Sequence, residues 1–102
     1  MTRDPLPIAF QNRASSDVEA IDAWWRVNRT SAPDMFAVEL ERVLRAVALL
    51  PDLGAPAKNT RLESVRRILL ARTRHYVYDR PTRNSIQVLA VWHTSRGQAP
   101  GL

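Results

Sequence analysis

The feature that most limits what this chain can become is a change of hydrophobic period past its midpoint. Up to Leu50 apolar residues recur every three or four positions, whereas from Val65 onward they alternate or run together in stretches rich in β-branched and aromatic side chains. The first pattern calls for helices and the second for strands. Phe36, Leu40, Val43, Val47 and Leu50 keep a 4, 3, 4, 3 rhythm, with Glu41 and Arg45 placed to pair at i, i+4 on the outside. Val18, Ile21, Trp25 and Asn28 mark an earlier helix. Ser16-Asp-Val-Glu19 has capping-box spacing and predicts its start.

Ser31-Ala-Pro-Asp34 predicts a short link and a second helix start, with Pro in the first turn and Asp at the positive end. Pro51-Asp-Leu-Gly54-Ala-Pro56 ends that helix and turns the chain, and Lys58-Asn-Thr60 reads as a loop. Three strands follow, over Val65–Leu70, Arg74–Tyr78 and Ser85–His93, joined by links short enough to force antiparallel hairpins. Pro5–Gln11 reads as an opening strand. In the last strand Ile86, Val88, Ala90 and Trp92 are assigned to one face and Leu89 and Val91 to the other, an apolar pattern that suits a central position. The expected class is therefore α+β: one domain over residues 1–102, β-α-α-β-β-β in order, an αα-hairpin packed on a mostly antiparallel four-stranded sheet.

Composition narrows the chemistry. Without Cys there is no disulfide, thiol nucleophile or thiolate metal site, and two histidines fall short of a structural zinc site, so neither metal nor cofactor is expected. Three glycines in turn or tail positions build no phosphate cradle, which sets aside ATPase and GTPase readings. No apolar run approaches the roughly 18 residues needed to cross a bilayer, and no apolar stretch follows the N-terminal residues as in a signal peptide. A cytoplasmic protein with no membrane partner is expected.

The net charge of +5 is unevenly spread: residues 1–60 are net −1 and residues 61–102 net +6, every basic residue of the second part being Arg. Arg66, Arg67, Arg74, Tyr76, Tyr78, His93 and Arg96 fall on strands expected to be neighbours, so they form the candidate target-binding set. Such a set suits three readings. Guanidinium groups and rings can grip a nucleic acid, with His93 exchanging a proton for metal-free RNA cleavage. The same groups can dock an acidic protein, or they can be a solvated sheet face. On the helical side Trp24 and Trp25 lie about 100° apart, too far round to share one narrow seam. Either one of them serves a partner or both belong to a broad apolar stripe.

Asp22-Ala-Trp-Trp-Arg-Val-Asn-Arg29, Ala32-Pro-Asp-Met-Phe36, Leu50-Pro-Asp-Leu-Gly54, Val65-Arg-Arg67, Tyr76 to Tyr78 and Val88-Leu-Ala-Val-Trp-His-Thr-Ser-Arg-Gly97 together resemble the RelE/ParE toxin superfamily in order and length. The resemblance implies a small bacterial toxin of a type II toxin–antitoxin pair, inactive in a hetero-oligomer with its antitoxin. RelE-like members cleave mRNA on the ribosome with several basic residues and an acid or base near the C-terminus. ParE-like members poison DNA gyrase without that set. The His93-x-x-Arg96 ending is more similar to the ParE side, and Gly97–Leu102 supplies no proton-transfer group. Gyrase is the favoured target; under the ribonuclease alternative His93 and Arg96 are the catalytic residues, with the ribosome and mRNA as partners. The antitoxin is expected to set apolar anchors by Trp24, Trp25 and Phe36 and acidic residues over the arginines.

Overall fold

The computed structural model describes residues 4–102. The elements are β1 (Ile8–Phe10), α1 (Asn12–Asn28), α2 (Met35–Leu49), β2 (Ala55–Pro56), β3 (Arg66–Leu70), β4 (His75–Pro81) and β5 (Ile86–His93). The two helices lie on one face of a five-stranded sheet of order β1-β5-β4-β3-β2, in which only the β1–β5 pair is parallel. The expected α+β class is observed, with one strand more than expected. That strand is β2, two residues of the loop after α2 that pair Ala55 with Arg67 and Pro56 with Arg66. Two residues flanked by Gly and Pro carry no alternation by which a strand could be read.

The helix boundaries also differ from the capping signals. The backbone N–H of Gln11 still donates to Val88 O at 2.9 Å, continuing the β1 ladder, and Ser15 N then donates to Gln11 O at 3.0 Å. The chain therefore passes from strand to helix with no link, four residues before Ser16. Asp17 accepts the Val91 N–H on its Oδ2 at 3.0 Å. A helix carboxylate thus occupies the place along β5 where β1 has ended and a strand partner is missing. Ser31–Asp34 forms the turn before α2, and Pro33 precedes the helix rather than entering its first turn.

β5 is central, as its apolar pattern predicts, but its faces are shifted. Tyr78 pairs with Ala90 and Asp79 with Val88, which leaves Leu89 as an extra residue in a β-bulge. Val88 and Val91 consequently join the cluster under the helices, with Ala14, Phe36, Leu40, Leu44, Leu70 and Val77. Leu89 and Ala90 both turn to the other face, where they meet Val65 and Tyr78, with Tyr76, Trp92 and Leu102 packed alongside. Strict alternation placed Ala90 and Trp92 with Val88; one inserted residue moves them across the sheet. Among the described residues no helix is long and apolar enough to cross a membrane.

Candidate functional site

The arginines expected to form one platform are divided among three places. Arg66 pairs with Asp79 on the helix side of the sheet, where its guanidinium donates to Gly54 O at 2.7 Å and to Leu53 O at 3.5 Å, tying the loop after α2 to β3. Arg74 is not on a strand at all. It occupies the tight β3–β4 turn with φ 62°, and its carbonyl accepts from Thr94 N at 2.9 Å. Only Arg67 and Arg96 remain on the open face, the side of the sheet away from the helices. Arg67 lies 4.2 Å over the Tyr76 ring and Arg96 3.9 Å over Trp92, with Arg13 of α1 also near Trp92 at 5.6 Å.

Each stack follows from local structure. Arg67 and Tyr76 sit on adjacent antiparallel strands as a diagonal pair, two residues out of direct register and so on the same face, within reach of a long side chain. After β5 the Arg96 N–H donates to His93 O at 3.2 Å, and that turn folds the guanidinium back over Trp92. Trp92 Nε1 in turn donates to Gln98 O at 2.7 Å. A shallow cleft of about 220 Å³ results, lined by Arg67, Tyr76, Tyr78, Trp92, His93 and Arg96 among others. Tyr78 forms its floor, being only 4% exposed. Trp92 was absent from the expected set because alternation alone put it on the wrong face.

His93 stands between this cleft and a second cavity. Its Nδ1 accepts the Ser95 N–H at 3.0 Å and lies 2.6 Å from the Ser95 hydroxyl. The neutral ring therefore carries its proton on Nε2. The His75 ring stands edge-to-face against it at 4.9 Å. Burial first, then the neighbouring His93, lower the His75 pKa to about 4.

The residues expected to anchor an antitoxin are likewise separated. Phe36 is fully buried in the core. Trp24 is 48% exposed and meets Trp25 edge-to-face at 5.9 Å, while Trp25 packs partly onto the core. An apolar groove of about 660 Å³ runs between β1, α1 and α2. Its walls are Ile8, Phe10, Val18, Leu40, Leu44 and Leu49, with Phe36 beneath and Glu19, Asp22, Glu41 and Arg45 around it. Val18, Glu19 and Asp22 of α1 line this groove, whereas Ile21, Trp24 and Trp25 line the cavity on the opposite flank. The groove was legible only as two apolar faces, since it arises from how far apart they stand.

A family model described as the ParE toxin of type II toxin–antitoxin system, parDE, matches residues 8–97. The chain belongs to the ParE toxin family. This toxin resembles the chromosomal ParDE toxin–antitoxin system from P. aeruginosa, with 17% identity and a TM-score of 0.64 over 86% of this chain and 95% of that one. It also resembles a chain of the E. coli DinJ–YafQ toxin–antitoxin complex, with 13% identity and a TM-score of 0.54 over 91% of this chain and 93% of that one. At these identities the likeness is one of fold. No curated protein matches the chain. For a ParE-family toxin, the open face offers two guanidinium–ring stacks and a buried tyrosine floor, an arrangement suited to holding a macromolecular surface.

Proposed function

We propose that this toxin stops growth by binding DNA gyrase and stabilising its cleaved-DNA intermediate, with no bond broken by the toxin itself. The observation that carries this reading is the dispersal of the groups a ribonuclease would need. Arg66 is bonded to the Leu53 and Gly54 carbonyls on the helix side, Arg74 lies in the turn, and the Nδ1 of His93 is taken by Ser95. The three arginines that a ribonuclease reading assigns to the scissile phosphate are not gathered on one side of His93: Arg67 lines the cleft on one side, Arg74 the cavity on the other, and Arg66 neither. What the open face retains is contact area: Arg67 on Tyr76 and Arg96 on Trp92, the residue types that dominate binding energy at interfaces.

Neutralisation follows from the groove. An amphipathic antitoxin helix laid between β1, α1 and α2 covers Phe10 and Leu49, which are 39% and 47% exposed. Glu19, beside the groove and outside the Asp22–Arg26 and Glu41–Arg45 pairs, favours a basic residue flanking its apolar anchors. Acidic residues elsewhere in the antitoxin meet Arg67 and Arg96.

The decisive experiment is expression without antitoxin, scoring the SOS response against loss of translation, together with gyrase incubated with plasmid and purified toxin. Gyrase poisoning gives SOS induction and accumulation of linear plasmid, and His93→Ala retains both. Translation arrest without SOS, lost by 10²-fold or more in His93→Ala, would establish RNA cleavage instead.

A further inference from the structure

The cavity between the C-terminal half of α1 and the β3–β4 turn differs in kind from the groove and the open face. It encloses about 430 Å³, within the range of small-ligand sites, between the indoles of Trp24 and Trp25, the guanidinium-bearing Arg29, Arg72 and Arg74, and the imidazoles of His75 and His93. No carboxylate lines it. The ion pairs among the described residues are Asp22–Arg26 and Glu41–Arg45, so these three arginines have no acidic partner there. Glu39, on the adjoining helix, directs both carboxylate oxygens to the backbone of residues 72–73 and the Thr73 hydroxyl, leaving neither for a guanidinium.

Arg29 is held by rings rather than by an anion, 5.2 Å from the Trp24 centroid and 5.8 Å from that of Trp25. Arg74 is presented from a left-handed backbone position that non-glycine residues adopt at a cost. At the inner wall His75 is only 5% exposed, and its Nδ1 has no hydrogen-bond partner. Three arginines lining one cavity without an acidic partner call for an anion, and phosphate matches the planar fork of a guanidinium. Adjacent indoles call for a flat ring. A carboxylate-bearing side chain would answer the first demand and leave the second unmet.

We propose that this cavity binds a nucleotide, its phosphate held by Arg72 and Arg74 with Arg29 beside them and its base stacked on the Trp24 indole. The site is distinct from the groove and meets the open-face cleft only at His93, and it is tested with the toxin alone, so its outcome does not depend on gyrase being the target.

Purified toxin is titrated with 5′-AMP, adenosine and inorganic phosphate, following indole fluorescence and the ring resonances of His75 and His93. AMP should quench the indoles saturably and shift both imidazoles, binding at least tenfold more tightly than phosphate or adenosine. Arg72→Gln combined with Arg74→Gln should weaken AMP tenfold or more. Trp24→Leu should weaken AMP similarly and leave phosphate binding unchanged. Arg83→Gln, in the β4–β5 turn, should leave AMP affinity as it is. These substitutions are at exposed positions, and a matching far-ultraviolet spectrum verifies the fold of each. Equal affinity for AMP and phosphate would reduce the cavity to a bare anion site and overturn the proposal. So would the absence of saturable quenching, or a quench without movement of the two histidines.

Discussion

Glu39 on α2 grips Thr73 in the β3–β4 turn: its Oε1 accepts the Thr73 amide at 3.0 Å and the Thr73 hydroxyl at 2.7 Å. Its Oε2 accepts the Arg72 amide at 2.8 Å, so a single buried carboxylate fastens the hairpin to the helical layer. Bonds to a charged acceptor are the stronger kind, and removing it strands buried donors. Glu39→Ala should lower unfolding free energy by about 3 kcal/mol, and Glu39→Gln by about half as much, since its amide keeps one accepting oxygen. Urea denaturation of the two variants checks the ranking.

Two buried groups give opposite pH dependences. Burial, with His93 adding to it, lowers the His75 pKa to about 4 from 6.5, so between those values the unfolded chain holds a proton that the folded chain lacks. Stability contributed by His75 is therefore lost as pH falls through that window. Asp79, fully buried with both oxygens unpartnered, is raised by burial to about 7 from 3.8, with Arg66 pulling the other way. The folded chain then keeps the extra proton, and stability is lost as pH rises from about 4 to 7. Each slope is on the order of 1 kcal/mol per pH unit, so they offset between about pH 4 and 6.5. Relative to wild type, Asp79→Asn should lose stability on acidification and His75→Gln should gain it. Denaturation midpoints at a series of pH values measure both.

The apolar groove makes a prediction about affinity rather than stability. Leu49→Asp places a charge on an exposed wall and Phe10→Ser removes a ring from another. Each should weaken binding of the cognate antitoxin at least tenfold, with unfolding free energy changed by less than about 1 kcal/mol. Calorimetric titration and thermal melts separate the two quantities. Trp24→Ala, on the opposite flank of α1, should leave antitoxin affinity within about twofold of wild type.

Gly54 is the one position in the turn after α2 where a side chain cannot be accommodated. Its φ is 93°, and a Cβ there would stand 2.4 Å from Ile68 Cγ1 and 2.6 Å from the Arg67 carbonyl. Gly54→Ala should cost on the order of 3 kcal/mol, from left-handed strain and from displacement of β2 against β3. It should also loosen Arg66, whose guanidinium donates to the Gly54 carbonyl. A raised amide exchange rate at Ala57, which donates to Val65 O at 2.8 Å beside that pair of strands, tests the second effect.

The helices, the order of the long strands and the central place of β5 were legible because each rests on a local period. Leu89 marks where that legibility stops. Nothing in Val88-Leu-Ala-Val91 distinguishes a bulge from regular alternation, yet the bulge decides which side Trp92 occupies. The capping signal at Ser16 failed for a related reason: β1 runs straight into α1, and Asp17 is engaged by Val91, a residue distant in sequence. Arg66 and Arg67 are neighbours with the same side chain, and the pleat sends them to opposite faces with different partners. The candidate surface was thus found by composition and miscounted by pattern, since local spacing cannot report which carbonyl a guanidinium will meet.

β5 lies between β1 and β4, so the first and last strands of the chain are neighbours in the sheet. On the ribosome residues 86–93 emerge after every segment they must unite. Until then β1 has no neighbour, and the layer beneath the helices lacks Val88 and Val91. The arrangement defers assembly of the toxic shape to the end of synthesis, which gives an antitoxin already present in the cell the first opportunity to meet it.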